Sequence, residues 1–168
     1  MNLLLNLGSG QRPFSAPWLN VDSQAKWEPD VCMDAHEYLK SLPDNCADMI
    51  CLHHVLEHFG CGEGDGLLQE SLRVLSTGGS LLVFVPDMLE LAHMWIEGRI
   101  SDQIYMTNIY GAYMSDEADR HKWGFSQQSL QGNLKALGFS KVLKFDWRKI
   151  PGADIGRDRW ILGLEAVK

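Results

Sequence analysis

The sequence begins with a short apolar run that breaks into a glycine turn. Residues 3–7 are apolar apart from Asn6, which is typical of a strand buried on both faces of a sheet. The run ends in Gly8-Ser9-Gly10, where glycine permits positive φ and lets a ligand approach the backbone without meeting a Cβ atom. Ligands of open parallel sheets bind at the carboxyl ends of the strands. This stretch therefore favours an α/β fold with a ligand site at its first turn.

A second short apolar run ends in an acid. Residues 18–21 are followed by Asp22, whose carboxylate is placed to accept hydrogen bonds from a ribose. The glycine turn and this acid together predict a nucleotide-type cofactor site. They do not form a dinucleotide-binding fingerprint, because the third glycine of GxGxxG is missing. The segment before Asp22 also contains Pro13 and Pro17 and is too short for a crossover helix.

The rest of the chain alternates buried strands with helical patterns. Further strands are predicted at residues 31–34, 47–52, 80–85, 141–147 and 159–167. Helices are predicted at 36–42, from Val55 to a glycine, from Leu67 to Gly78-Gly79, at 88–96 before Gly98, and from a Ser126 cap to Gly138. About seven strands, parallel first and ending in an antiparallel hairpin, predict a single three-layer α/β domain over residues 1–168.

Composition and charge exclude several classes of function. The 168-residue chain is 45% hydrophobic, which is ordinary for a globular domain, and its net charge is −7. No basic cluster exceeds a pair such as Arg148-Lys149, which argues against nucleic acid or an anionic membrane as a partner. The sequence contains neither a transmembrane-length apolar segment nor a signal peptide, so a cytoplasmic location is expected.

Five pieces of sequence, taken in order, give the chain a family resemblance. They are LNLGSG with WLNVD, Asp34-Ala35, ADMICLHHVLEH, RVLSTGGSLLVFVPD, and HKWGFS with LGF. In these pieces the chain resembles the class I S-adenosylmethionine-dependent methyltransferases, in particular the type 11-like group, over nearly its whole length. The resemblance implies a Rossmann-like methyltransferase fold and a small-molecule methyl acceptor. It also implies S-adenosyl-L-methionine as the cofactor and S-adenosyl-L-homocysteine as the product.

The resemblance further assigns cofactor contacts to individual residues near the strand ends. These are Gly8, Ser9 and Gly10 for the methionine part, Asp22 for the ribose, Asp34 and Ala35 for the adenine edge, and His53 and His54 for the sulfonium end. The chain departs from the family at Asn6, where many members carry an acid.

Histidines are the candidates for catalysis. Methyl transfer requires two positioned reactants and the exclusion of water, and a general base helps when the acceptor is a hydroxyl. His121, which lies in the segment expected to cover the pocket, is the first candidate for that base, and His54 is the second. No metal is predicted. His54 and His58 have i, i+4 spacing with Cys61 nearby, but the pattern is not HExxH.

Residues 99–125 are the candidate lid. They lack clear periodicity, contain several tyrosines and carry an acidic tip. Because no helix precedes the first strand of this sequence, we expect this segment to cover the cofactor and to be mobile without ligand. Two other functions stay open, namely a non-catalytic partner subunit that binds the cofactor, and an enzyme that uses NAD or a nucleotide sugar. The sequence identifies neither the acceptor nor the oligomeric state.

Overall fold

The fold is built on a mixed sheet. A computed structural model describes residues 3–112, 117–150, 153 and 160–168. The described strands are β1 (Leu4–Leu7), β2 (Trp18–Asp22), β3 (Val31–Cys32), β4 (Ala47–His53), β5 (Leu75–Pro86), β6 (Lys141–Lys144) and β7 (Ile161–Val167). They form one seven-stranded sheet in the order β3-β2-β1-β4-β5-β7-β6. The pairs from β3 to β5 are parallel, whereas β7 is antiparallel to both β5 and β6. The predicted α/β fold with a C-terminal antiparallel pair is confirmed.

Helices and short turns connect the strands. The α-helices of the described residues are α1 (Ala35–Ser41), α2 (Asp65–Val74), α3 (Met88–Ile96), α4 (Asp102–Tyr110) and α5 (Gln127–Ala136). Short 3-10 turns lie at Ala25–Trp27, Leu56–His58, Glu117–Asp119 and Trp147–Lys149. Ser126 caps α5 in a capping box with Ser129, as its position in the sequence predicts. None of the helices in the described part of the chain has the length and apolar character that crossing a membrane requires.

The helix predicted from Val55 is wrong, because the chain makes only the single 3-10 turn Leu56–His58 there. Phe59 returns to an extended conformation with ψ of 146°, which stops any continuation. Several glycines follow, and they favour a loop until α2 begins. The motif after β4 therefore lies on a tight turn rather than on a helix.

The predicted end of the next helix at Gly78-Gly79 is also wrong. Helix α2 ends at Val74, because Leu75 is fully buried and begins β5 by pairing with Ala47. Gly78 has φ of 80° and lies inside β5, beside a shift in the strand register. Its glycine conformation therefore serves an irregularity of the strand and not a helix terminus.

The two faces of the sheet are covered differently. On one face, leucines of α1, α2 and α5 pack against aliphatic side chains of β1, β4, β5 and β7 in one continuous core. On the opposite face, loop residues Phe14 and Ile150 pack against Trp18, Cys51 and Phe84, and the rings of Phe14 and Trp18 meet edge-on at 5.3 Å. Prolines between β1 and β2 exclude a helix there, so this layer consists of loop and short turns.

A buried polar network fastens the loop between β1 and β2. Oδ1 of Asn20 accepts hydrogen bonds from Nδ2 of Asn6 (2.9 Å) and from the N–H of Phe14 (2.8 Å). Nδ2 of Asn20 donates to the carbonyl of Phe14 (2.9 Å) and to Asp30 (3.0 Å). Asn6 donates a hydrogen bond in this network. An acidic side chain at that position would be ionised at neutral pH and could only accept one. The amide of Asn6 thus has a structural role in fastening the loop.

Candidate cofactor and active site

A cleft opens where the carboxyl ends of β1, β2 and β4 meet. The strand order reverses between β1 and β4, and α/β sheets bind ligands at such points. The cleft encloses about 550 Å³, within the range of roughly 300–1,000 Å³ that is usual for small-molecule sites. One side, the glycine wall, consists of Gly8, Gly10, Gln11, Asp22, Ser23, Gln24, Lys26 and Trp27. The other side, the histidine wall, consists of His54, Val55, His58, Phe59, Ala112, Ala118 and Asp119.

The two glycines of the first turn have different tasks. Gly8 has φ of 66°, and its N–H donates to the carbonyl of Val21 (2.8 Å). A Cβ atom at Gly8 would lie 2.5 Å from Cγ2 of Val55, so the turn and the histidine wall touch here. Gly10 has φ of 52°, but a Cβ atom there would meet no atom within 4 Å. Gly8 therefore permits packing, whereas Gly10 borders open space in the cleft.

Asp22 holds the glycine turn in place. Its Oδ2 accepts a hydrogen bond from the N–H of Gly10 (2.8 Å), and its Oδ1 accepts one from the N–H of Gln24 (2.8 Å). The side chain is almost buried, yet it lines the cleft. Each carboxylate oxygen has a further lone pair, so Asp22 is a prealigned acceptor for donors of a ligand.

Ser9 and His53 were predicted to contact the cofactor, but neither lines the cleft. Ser9 is buried, and its Oγ has no hydrogen-bond partner among the described residues. His53 ends β4 and packs edge-on against Phe84 at 6.0 Å. Burial, with smaller contributions from the charges of His54 and Arg12, lowers the pKa of His53 to about 2. The imidazole of His53 is therefore neutral in the folded protein.

Asp34 and Ala35, predicted at the adenine edge, begin a helix. Asp34 is the N-cap of α1, and its Oδ1 accepts hydrogen bonds from the N–H groups of His36 (2.9 Å) and Glu37 (3.1 Å). Ala35 is the first residue of α1. Neither residue lines the cleft, and the structure gives Asp34 the role of a helix cap.

His54 is the best-oriented histidine of the histidine wall. Its backbone has φ of 53°, a strained conformation for a residue other than glycine. Its Nδ1 lies 2.6 Å from Oε1 of Glu57, which is buried. Burial alone would raise the pKa of Glu57, but the nearby His54 and His58 and the hydrogen bonds outweigh it, so that pKa is lowered. The ionised Glu57 can only accept, and Nδ1 of His54 therefore carries a proton.

His121 lies behind the cleft. Its Nδ1 is 2.8 Å from the carbonyl of Asn108, and its ring meets that of His58 edge-on at 5.0 Å. Burial lowers the pKa of His121, although Glu57 and the hydrogen bond to Asn108 act in the opposite direction. The fold thus brings His121 to the turn that carries Glu57 and His58, while Cys61 is exposed nearby.

Sequence reasoning missed part of the cleft lining. The 3-10 turn Ala25–Trp27 contributes Lys26 and Trp27, and the ammonium of Lys26 lies 4.8 Å from the ring centre of Trp27. An aromatic residue a few positions after the acid of β2 was the available signal. Ala112 and Asp119 lie within the predicted lid, residues 99–125, although the sequence did not single them out individually.

Comparisons with known proteins give a family match over part of the chain. The profile of the family described as "Methyltransferase domain" matches residues 14–83, from the loop after β1 into β5. Over these residues the chain is similar to the methyltransferase family, and its fold is that of S-adenosylmethionine-dependent methyltransferases. No curated protein sequence matches this chain.

Solved structures share the fold of this chain at low identity. A SAM-dependent methyltransferase from Archaeoglobus fulgidus has a TM-score of 0.64 and 19% identity, over 100% of this chain and 86% of that one. The 1,6-didemethyltoxoflavin-N1-methyltransferase of Burkholderia thailandensis was solved with 1,6-didemethyltoxoflavin and S-adenosylhomocysteine. It has a TM-score of 0.58 and 16% identity, over 99% of this chain and 70% of that one. A possible histamine N-methyltransferase from Thermotoga maritima has a TM-score of 0.60 and 13% identity, over 100% of this chain and 82% of that one.

The chemistry of the glycine wall suits S-adenosylmethionine as a ligand. The open space at Gly10 gives a ligand access to the backbone, and Asp22 offers acceptors to hydroxyl groups. The Oγ of Ser9, buried without a partner among the described residues, lies in the same turn. When bound, S-adenosylmethionine supplies a methyl group activated by the positive charge on its sulfur.

Proposed function

We propose that the chain is an S-adenosylmethionine-dependent methyltransferase that modifies a small-molecule acceptor held between the glycine wall and the histidine wall, leaving S-adenosylhomocysteine as its product. The observation that carries this proposal is the size of the cleft, since about 550 Å³ has to hold the cofactor and the acceptor together. The net charge of −7 gives no attraction to the phosphates of nucleic acids or to anionic membranes. The Burkholderia thailandensis methyltransferase, of the same fold, was solved with a bound small molecule, which supports this choice.

On the glycine wall we assign the cofactor contacts by chemistry. The carboxylate of Asp22 accepts from the ribose hydroxyls with its remaining lone pairs. The ring of Trp27 offers a flat face to the adenine, as aromatic side chains do in stacked pairs. The turn Gly8-Ser9-Gly10 receives the methionine part at the open side of Gly10. Asp34 and Ala35 stay a prediction for the adenine edge.

On the histidine wall we assign the general base to His54. The buried carboxylate of Glu57 fixes the Nδ1–H of His54, so Nε2 is the nitrogen that accepts a proton. A hydroxyl acceptor releases its proton to this nitrogen as its oxygen is methylated, and the charge of Glu57 stabilises the imidazolium that forms. His121, the first candidate from the sequence, lies behind His58 and takes second place as a base.

We further propose that part of residues 99–125 closes over the bound ligands. Ala112, Ala118 and Asp119 line the cleft, and a Cβ atom at Gly111 (φ 94°) would overlap the carbonyl oxygen of Asp119. Residues 113–116 of the predicted lid lie outside the described residues. Hydrogen exchange with and without S-adenosylhomocysteine tests the proposal. We expect slower exchange in α4 and in residues 117–120 with the ligand, and equal exchange in both states contradicts it.

Calorimetry with S-adenosylhomocysteine tests the cofactor assignment. We expect the wild type to bind S-adenosylhomocysteine but not NAD, and Asp22→Asn to bind at least about tenfold more weakly, since a hydrogen bond to a charged group contributes about 1.5–3 kcal/mol. Asp44→Asn is the matched control, because Asp44 is exposed and forms an ion pair with Arg73. Equal affinities of the two variants would contradict the role of Asp22.

Turnover with a panel of acceptors tests the acceptor class. Release of S-adenosylhomocysteine in the presence of a small hydroxylated or amine acceptor is the expected result. Binding of the cofactor without turnover of any acceptor would instead favour a non-catalytic partner subunit.

A further inference from the structure

A cluster of potential metal ligands lies at the histidine wall. Glu57, His58 and His121 each bring one ligand atom, and these atoms lie within 4.8 Å of one another. Glu57 and His58 belong to the 3-10 turn after β4, whereas His121 comes from the segment after α4. That segment is joined to the turn by a hydrogen bond from the N–H of Lys122 to the carbonyl of Glu57 (2.8 Å). Tertiary structure, and not a local motif, assembles the cluster.

The two imidazoles of the cluster are oriented by backbone carbonyls. Nδ1 of His58 lies 3.2 Å from the carbonyl oxygen of Arg120, and Nδ1 of His121 lies 2.8 Å from that of Asn108. A carbonyl oxygen only accepts, so Nδ1 of each ring carries the proton and Nε2 carries the lone pair. Histidines that bind metals almost always have their second nitrogen held in this way.

The carboxylate of the cluster is buried and only partly satisfied. The side chain of Glu57 is 1% exposed, and its Oε1 is engaged by His54. Its Oε2 is also buried, and no described residue provides this oxygen with a hydrogen-bond partner. A buried oxygen of an ionised group is costly to leave without a partner, and a coordinated cation would satisfy it.

We propose that Glu57, His58 and His121 form a binding site for one divalent transition-metal ion, with Zn²⁺ as the best match. Two imidazoles and one carboxylate are the protein ligands of catalytic zinc sites that keep a fourth position open, whereas Mg²⁺ and Ca²⁺ prefer oxygen ligands. Zinc bonds of about 2.0–2.1 Å place tetrahedral ligand atoms about 3.4 Å apart, so the cluster has to contract by about 1.4 Å at most.

The proposed metal site differs from the one weighed in the sequence. Neither His54 nor Cys61 is among its ligands. His54 instead contacts Oε1 of Glu57 and so helps to hold the carboxylate that would bind the ion. His58 lines the cleft, so a metal held here would lie beside it, and water or an acceptor oxygen bound to that metal would have its pKa lowered. This link to the acceptor rests on the proposed function, whereas metal binding itself does not.

Metal titration of tag-free protein, stripped with a chelator, tests the site. ZnCl₂ is titrated in a calorimeter, and CoCl₂ is followed by the visible absorption of tetrahedral Co²⁺. We expect one ion per chain and binding weakened at least about 100-fold in His121→Ala and in Glu57→Gln, since loss of an outer partner alone costs roughly 10–100-fold. His93→Ala is the matched control, because His93 is exposed on α3 and should leave binding unchanged.

Three outcomes overturn the metal site or separate it from the proposed function. The metal site is overturned if the wild type binds no Zn²⁺. It is also overturned if His121→Ala binds Zn²⁺ as tightly as the wild type does, which is the result expected if the exposed Cys32 or Cys61 held the ion. If the buried Glu57→Gln variant loses its thermal transition, His58→Ala and His121→Ala carry the test. Wild type that binds S-adenosylhomocysteine but no Zn²⁺ overturns the metal site alone, and the reverse result overturns the proposed function alone.

Discussion

The two walls of the cleft are held together by different kinds of contact. The glycine wall lies within one short stretch, residues 8–27, and its key hydrogen bond runs from Gly10 to Asp22 twelve positions away (2.8 Å). In the histidine wall, His58 binds Arg120 across 62 positions. The half of the cleft assigned to the cofactor therefore depends on local chemistry, and the half assigned to the acceptor depends on tertiary structure. Variants of the two walls should separate cofactor binding from turnover.

The largest effect is expected from the network behind the glycine wall. Asn20→Ala leaves the buried N–H and carbonyl of Phe14 and the amide of Asn6 without their partner. Each such group costs about 1–3 kcal/mol, so we expect the free energy of unfolding to fall by about 3–5 kcal/mol. Urea denaturation measures this loss, and affinity for S-adenosylhomocysteine should fall with it. Asn133→Ala, on the exposed face of α5, should change stability by less than about 0.5 kcal/mol.

The contact between the walls gives the next effect. Gly8→Ala combines a left-handed backbone with overlap against Val55, so we expect a loss of about 3 kcal/mol in the free energy of unfolding. Gly10→Ala has the same kind of backbone but open space, and a loss of about 1 kcal/mol is expected. Thermal denaturation of both variants checks the difference. Equal losses would show that the walls do not touch at Gly8.

The glycine wall could be predicted from the sequence because its signals are local. An apolar run before Gly8 and an acid at Asp22 are readable from neighbouring residues, and both residues line the cleft. The contact of His58 with His121 has no such signature, because folding alone brings them together. The number of strands, and the change from parallel to antiparallel pairing at the end of the chain, followed from the apolar runs. Gly78 was misread as a helix end, because a positive φ serves a strand irregularity as well as a helix terminus.

Substitutions in the histidine wall should lower turnover and leave the affinity for the cofactor nearly unchanged. His54→Asn removes the proposed base but suits the backbone, because asparagine tolerates φ near 53°. We expect the rate with a hydroxyl acceptor to fall about 100-fold, near the lower end of general-base effects, and affinity for S-adenosylhomocysteine to change less than about threefold. Steady-state kinetics and calorimetry measure the two quantities. His93→Asn is the control, and a His54→Asn enzyme with the wild-type rate would contradict the assignment.

The effect that is smallest at neutral pH is acid sensitivity at His53, which directly precedes the histidine wall. Burial first, and then the charges of His54 and Arg12, lower the pKa of His53 to about 2. The unfolded chain binds a proton on this ring below about pH 6.5, whereas the folded protein does not. The stability that belongs to the neutral ring is therefore complete above about pH 6.5 and is lost as the pH falls, by up to about 1.4 kcal/mol per pH unit.

His53→Gln should flatten this acid loss, because glutamine does not titrate. Urea denaturation at several pH values between about 6.5 and 4.5 measures the slope of the unfolding free energy against pH. Gly10→Ala should keep the wild-type slope although it is less stable, because the glycine wall contributes no buried histidine. If His53→Gln and the wild type lose stability equally with acid, the ring of His53 is protonated in the folded protein. The loss of stability in acid would then arise from other groups. The two walls would not differ in how the pH affects stability.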